Sequence, residues 1–113
     1  MIKGKVVLIP FPFDDLSATK LRPAVCLTDS IGPFQHLVLA FITSRMPSDL
    51  GKTDLILDST APDFKETGLK VTSVVRLHRL ITVSASLIVR ELGSLSSDQQ
   101  TEVANRLRYL FAL

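Results

Sequence analysis

Three short stretches gather residue types that could act together on a phosphodiester. Arg22 stands before a proline at the mouth of an apolar run, in "LRPAVCL". Thr43, Ser44 and Arg45 close a second run, "LVLAFITSR", and Arg76, His78 and Arg79 sit in "SVVRLHRL". Arginine carries a permanent charge and paired donors that match phosphate oxygens. Histidine titrates near neutrality and can shuttle a proton. A hydroxyl can hydrogen-bond an anionic oxygen. Arg76 and His78 are separated by one residue, so on a strand both project from the same face. Each residue also has a plainer reading. An arginine on an antiparallel sheet can simply face solvent, a lone histidine can be structural, and Thr43–Ser44 can cap a turn. The residues by themselves point to a small domain with the groups to bind phosphate.

Other chemistries find less support. His36 and His78 lie 42 residues apart and Cys26 is the only cysteine, so no zinc-ligand spacing exists. Asp14–Asp15 would hold magnesium only with further carboxylates brought close in space. The chain has no Gly-rich phosphate loop and no G-x-S-x-G nucleophile elbow. Cys26 falls within "PAVCLT" and reads as a small buried hydrophobe rather than a reactive thiol. Neither a metal nor a cofactor is expected. The formal charge of +2 is compatible with a nucleic-acid partner without requiring one.

The elements that must position these groups are mostly strands. With 113 residues, 46% hydrophobic and 21% charged, the chain is expected to fold as one domain spanning residues 1–113. "KVVLIPFPF" is a strand whose Pro10 and Pro12 predict an edge or a bulge. "RPAVCLTD" is a second strand, read as starting at its proline. "HLVLAFITS" is a third and fully buried one, and "TDLILDS" a short fourth. "VTSVVRLHRL" and "ITVSASLIVREL" supply two or three more. "DDLSATKL" is long for a hairpin and is expected to project from the sheet. "APDFKETG" can hold one helical turn closed by Gly68. The period then changes. Val103, Leu107, Leu110 and Phe111 predict one face of an amphipathic helix, with Ser96 and Gln99 as a capping box and Asp98 in its first turn. No apolar run reaches the ~18 residues of a spanning helix. "MIKGK" leads straight into a strand pattern without a signal peptide, so a cytoplasmic protein with no membrane association is expected.

The whole series resembles the MazF/PemK toxins. "GKVVLIPFPFDDLSATKLRPAVCLTD" is similar to their opening: a glycine-led strand, a polar loop and an R-P pair. "LVLAFITS" resembles their strand ending in threonine or serine, "TGLKVTSVVRLHRLITV" their later segment, and "LGSLSSDQQTEVANRL" their closing helix. The resemblance implies a small SH3-like β-barrel with a C-terminal α-helix, a homodimer, and a toxin partnered by a cognate antitoxin. It implies metal-independent, sequence-specific endoribonuclease action on single-stranded RNA, often mRNA, leaving 2′,3′-cyclic phosphate and 5′-OH ends.

On the family pattern the catalytic pair is Arg22 and Thr43, with Ser44 beside Thr43 and Arg76 as the later arginine. Lys20, Arg45 and Arg79 are expected to hold the RNA strand. Some members place an aspartate two residues after the later arginine. Here His78 occupies that position and becomes the candidate base or acid, while "LSATK" supplies neither. Two alternatives stand beside this reading, the first drawn from these departures and the second from fold analogy. One is a catalytically degenerate homologue that binds RNA or antitoxin without cutting. The other is a CcdB-like, gyrase-targeting toxin on the same barrel, which would act through the C-terminal helix and not through Arg22.

Overall fold

A computed structural model describes residues 1–10 and 20–113. The expected strand content of "FPF", the Asp14–Asp15 pair and most of the "DDLSATKL" loop lie outside those residues. The strands are β1 (Lys5–Pro10), β2 (Leu21–Cys26), β3 (His36–Thr43), β4 (Asp54–Leu57), β5 (Ser73–Ser84) and β6 (Arg90–Ser94). They form one curled antiparallel sheet in the order β4-β5-β3-β2-β1-β6, and helix α1 (Ser97–Phe111) follows. This mostly-β half-barrel with a closing helix agrees with the expected small SH3-like β-barrel and C-terminal helix. Among the described residues no helix is long and apolar enough to cross a membrane.

The strands form where apolar and β-branched residues run without a breaker. "SVVRLHRLITVS" contains neither Gly nor Pro, so it continues as one 12-residue strand across the boundary expected near residue 80. The two stretches therefore give two strands, the second confined to Arg90–Ser94 after a 3₁₀ turn at Ala85–Leu87. β2 begins at Leu21, two residues before the expected proline. Leu21 already pairs with Pro10 of β1, whereas pairing with β3 begins only at Ala24, so Pro23 stands beyond the β3 ladder. Pro10 is tolerated for a similar reason. The β1–β6 ladder ends at Leu8 and is irregular between Val6 and Val7, matching the expected edge or bulge.

Both faces of the sheet are apolar. On one, Val6, Val25, Ile42, Val75 and Leu77 pack with Phe64 and with Val103 of α1. On the other, Val7, Ile9, Leu37, Leu39 and Phe41 form a second cluster. Cys26 is buried in the second cluster, as expected. Burial, with a smaller push from the Glu91 charge, raises its thiol to about 11 against the opposing Lys5 charge.

The helix start follows the local chemistry. Ser96 Oγ accepts from the Gln99 N–H at 3.1 Å, and Gln99 Oε1 accepts from the Ser96 N–H at 2.8 Å. The Ser96 hydroxyl also donates to Asp63 at 2.7 Å, tying the cap to the 61–68 segment. The far end of the helix departs from expectation. Phe111 is 56% exposed, and the cluster under α1 takes in Val103 and Leu107. Eight residues at about 100° each place Phe111 roughly 80° around the axis from Val103, off the buried stripe. In the 61–68 segment the expected turn is a 3₁₀ turn at Lys65–Thr67, closed by Gly68 at φ 73°. β6 runs against it so closely that a Cβ on Gly93 would lie 2.2 Å from the Glu66 carbonyl oxygen.

Candidate functional site

The ends of β2 and β3 converge on one open groove of about 530 Å³. Lys20 and Arg22 enter it from the start of β2, and Thr43, Ser44 and Arg45 from the end of β3. Arg79 reaches it from β5, over a floor of Phe41 and Ile42. Arg22 is exposed on β2 opposite Ile9. Thr43 Oγ1 accepts the Arg45 N–H at 3.1 Å, which shapes the turn at the strand end. Both readings of Thr43 thus hold at the level of geometry: it caps a turn and it lines the groove.

Arg79 reaches the groove because β5 is irregular. Val75 pairs with Ile42 and Leu80 with Ala40, so residues 76–79 all stand opposite Phe41. The extra residues break the strict alternation of the strand and re-aim its side chains. As a result Arg76 and Arg79, three positions apart, both line an adjoining recess of about 430 Å³. That recess shares Thr43 and Arg45 with the groove and adds Met46, Pro47 and Asp49 from the loop after β3.

Arg76 is held by carboxylates. Its Nε donates to Asp54 Oδ1 at 3.0 Å and its Nη2 to Asp54 Oδ2 at 3.2 Å, with a longer bond from Nη2 to Asp49 Oδ1 at 3.3 Å. The Asp54 side chain is 1% exposed and that of Arg76 16%. Burial alone would raise the Asp54 carboxyl. The Arg76 hydrogen bond, the Gly51 N–H at 3.0 Å and the nearby positive charges outweigh burial and hold it below the usual carboxylate range. The Asp54 bond in turn raises Arg76.

The spacing argument for Arg76 and His78 holds: both side chains face Asp54, with His78 Nδ1 4.0 Å from Oδ1. His78 does not line the groove or the recess. The sequence reading misses Asp54 and Asp49. The available signal was an acid opening the otherwise apolar strand "DLIL", where an unpaired carboxylate would be costly to bury. Among the described residues no group of three His, Cys, Asp or Glu side chains could hold a metal ion.

The arrangement is therefore a basic groove with two hydroxyls, flanked by a clamped arginine. A family profile described as "PemK-like, MazF-like toxin of type II toxin-antitoxin system" matches residues 2–111. The chain belongs to the MazF/PemK toxin family. Solved structures agree in fold. This toxin is 21% identical to the Mycobacterium tuberculosis toxin MazF-mt6, with 96% of this chain and 97% of that one covered at a TM-score of 0.73. An endoribonuclease from a mycobacterial species, solved with its cognate antitoxin, is 12% identical over 100% of this chain and 96% of that one, with a TM-score of 0.72. MazF from Deinococcus radiodurans is 19% identical over 100% and 97%, with a TM-score of 0.69. No curated protein matches the MazF-like chain in sequence.

Proposed function

We propose that this toxin is a metal-independent endoribonuclease that cleaves single-stranded RNA. The observation that carries the reading is the groove itself. Four cationic side chains and two hydroxyls, Lys20, Arg22, Arg45, Arg79, Thr43 and Ser44, line it, with no carboxylate among the described lining residues. Such a surface suits a phosphate backbone. RNA supplies its own nucleophile. The 2′-oxygen loses its proton and attacks the adjacent phosphorus, the bond to the 5′-oxygen breaks, and that oxygen takes up a proton. The products are a 2′,3′-cyclic phosphate and a 5′-OH. The protein must stabilise the extra negative charge on phosphorus and handle two protons.

Arg22 stabilises that charge and Thr43 hydrogen-bonds a phosphate oxygen, with Ser44 beside it. Lys20, Arg45 and Arg79 hold the strand. Arg76 adds charge from the adjoining recess, with two of its nitrogens committed to Asp54. His78 is the candidate acid or base, and its place outside the groove makes it the assignment to test first. The cognate antitoxin is proposed to block the same groove, and the working unit to be a homodimer.

The test is cleavage of an RNA and the matching DNA in EDTA, with end mapping, by wild type, Arg22→Ala and His78→Gln. RNA alone should be cut, with 5′-OH ends, and Arg22→Ala should lose at least about 100-fold in rate, the scale of one removed charge-stabilising donor. Absence of RNA cleavage in EDTA, or full activity in Arg22→Ala, would sink the reading.

A further inference from the structure

The recess beside the groove carries a feature that a phosphate site should not have. Asp49 lines it, and its side chain is 77% exposed. The recess also holds Arg45, Arg76 and Arg79, so a strand passing it meets cations for its phosphates and one exposed carboxylate that pairs with N–H donors. The apolar part of the wall suits a flat guest: Met46 and Pro47 on the loop, and Phe41 beneath. Asp49 is also steadied without being used up. Arg76 Nη2 donates to its Oδ1 at 3.3 Å, and Oδ2 accepts no bond from any described residue. Arg76 in turn is fixed from behind by Asp54.

The geometry points to this recess as a base-binding subsite in which Asp49 is a specificity-determining residue that reads the Watson–Crick N–H donors of an unpaired base, with guanine favoured. The inference rests on the RNA reading above. Single-stranded RNA is recognised by splaying bases out of the stack and bonding their Watson–Crick edges. Guanine presents N1–H and the 2-amino group side by side, so both oxygens of one carboxylate can be engaged. Cytosine and adenine each present one amino group beside an acceptor. Uracil presents a single N–H between two carbonyls, which a carboxylate repels. A well-placed bidentate pair of this kind discriminates by about 5- to 100-fold.

Two readouts test it, one of them independent of catalysis. The first is binding of short 2′-deoxy oligonucleotides, which lack the nucleophile, in matched versions carrying guanine or inosine. Inosine keeps N1–H and lacks the 2-amino group. Wild type should prefer guanine by about 5-fold or more, and Asp49→Asn, which presents one acceptor and one donor, should lose that preference. Asp49→Ala should lose it as well, and thermal melts check that both exposed-site variants fold. The second readout is the cleavage pattern on a randomised RNA pool. Wild type should enrich guanine at one position near the cut, and both variants should flatten it. Equal binding of guanine and inosine oligonucleotides by wild type would overturn the assignment. So would a guanine preference that survives in both variants. If RNA is never cut but the guanine preference is present and depends on Asp49, the ribonuclease reading fails and the base subsite stands.

Discussion

Replacing Asp54 by alanine should be the most damaging single change near the site, and its cost can be worked out from the structure. The Asp54 carboxylate is almost completely buried and accepts two bonds from Arg76 and one from the Gly51 amide. Its removal strands a guanidinium that is only 16% exposed. Breaking a buried pair by deleting one partner typically costs about 3–5 kcal/mol. Residual water access to Arg76 and its remaining contact with the exposed Asp49 favour the lower end, about 3 kcal/mol. At about 2.1 cal/mol/K per residue, unfolding a chain of this size has an entropy near 0.24 kcal/mol/K, so the melting temperature should fall by about 12 °C.

The paired replacement Asp54→Leu with Arg76→Met should restore most of that loss, because an apolar pair of similar volume carries no desolvation cost. Urea unfolding of wild type, both single variants and the double variant gives the coupling energy directly. The pH dependence has a fixed sign. The folded-state pKa of Asp54 lies below its unfolded value, so its contribution is complete above about pH 4–5 and fades as pH falls through the lowered folded value. The gap between wild type and Asp54→Asn should close in acid. A single-variant cost below about 1 kcal/mol, or a double variant as unstable as the sum of the singles, would refute this account of the clamp.

Three further outcomes are expected elsewhere. Gly93→Ala should cost about 3 kcal/mol or more by urea unfolding, because its Cβ would meet backbone atoms of Glu66 and Thr67 that cannot rotate away. Ser96→Ala removes the acceptor of the Gln99 N–H and the bond to Asp63, and should lower stability by about 1–2 kcal/mol in a thermal melt. With a buried thiol at about 11, Cys26 should alkylate with iodoacetamide at pH 8 far more slowly in the native protein than in denaturant, as followed by mass spectrometry.

The sequence by itself determined whatever depends on neighbours within a few residues. The capping box of Ser96 and Gln99, the left-handed Gly68 and the buried run of β3 all follow from local periodicity and backbone sterics. The same holds for the polar residues at strand ends. Arg22 and the Thr43–Ser44–Arg45 series could be marked as candidates because each sits at one end of an apolar run, and the sheet order brings those ends to one groove.

Tertiary structure decided the rest. Asp54 and Arg76 are 22 residues apart, and their pairing exists only because β4 lies beside β5 in one register. The irregularity at residues 76–79 cannot be read from "RLHR", since it is set by how β5 meets β3 on one edge and β4 on the other. That irregularity turns Arg79 toward the groove and leaves His78 on the Asp54 side, outside it. A two-residue spacing fixes which side chains share a face. Only the packed sheet fixes what that face looks onto, because burial, charge pairing and groove shape are properties of strands that are distant in the chain.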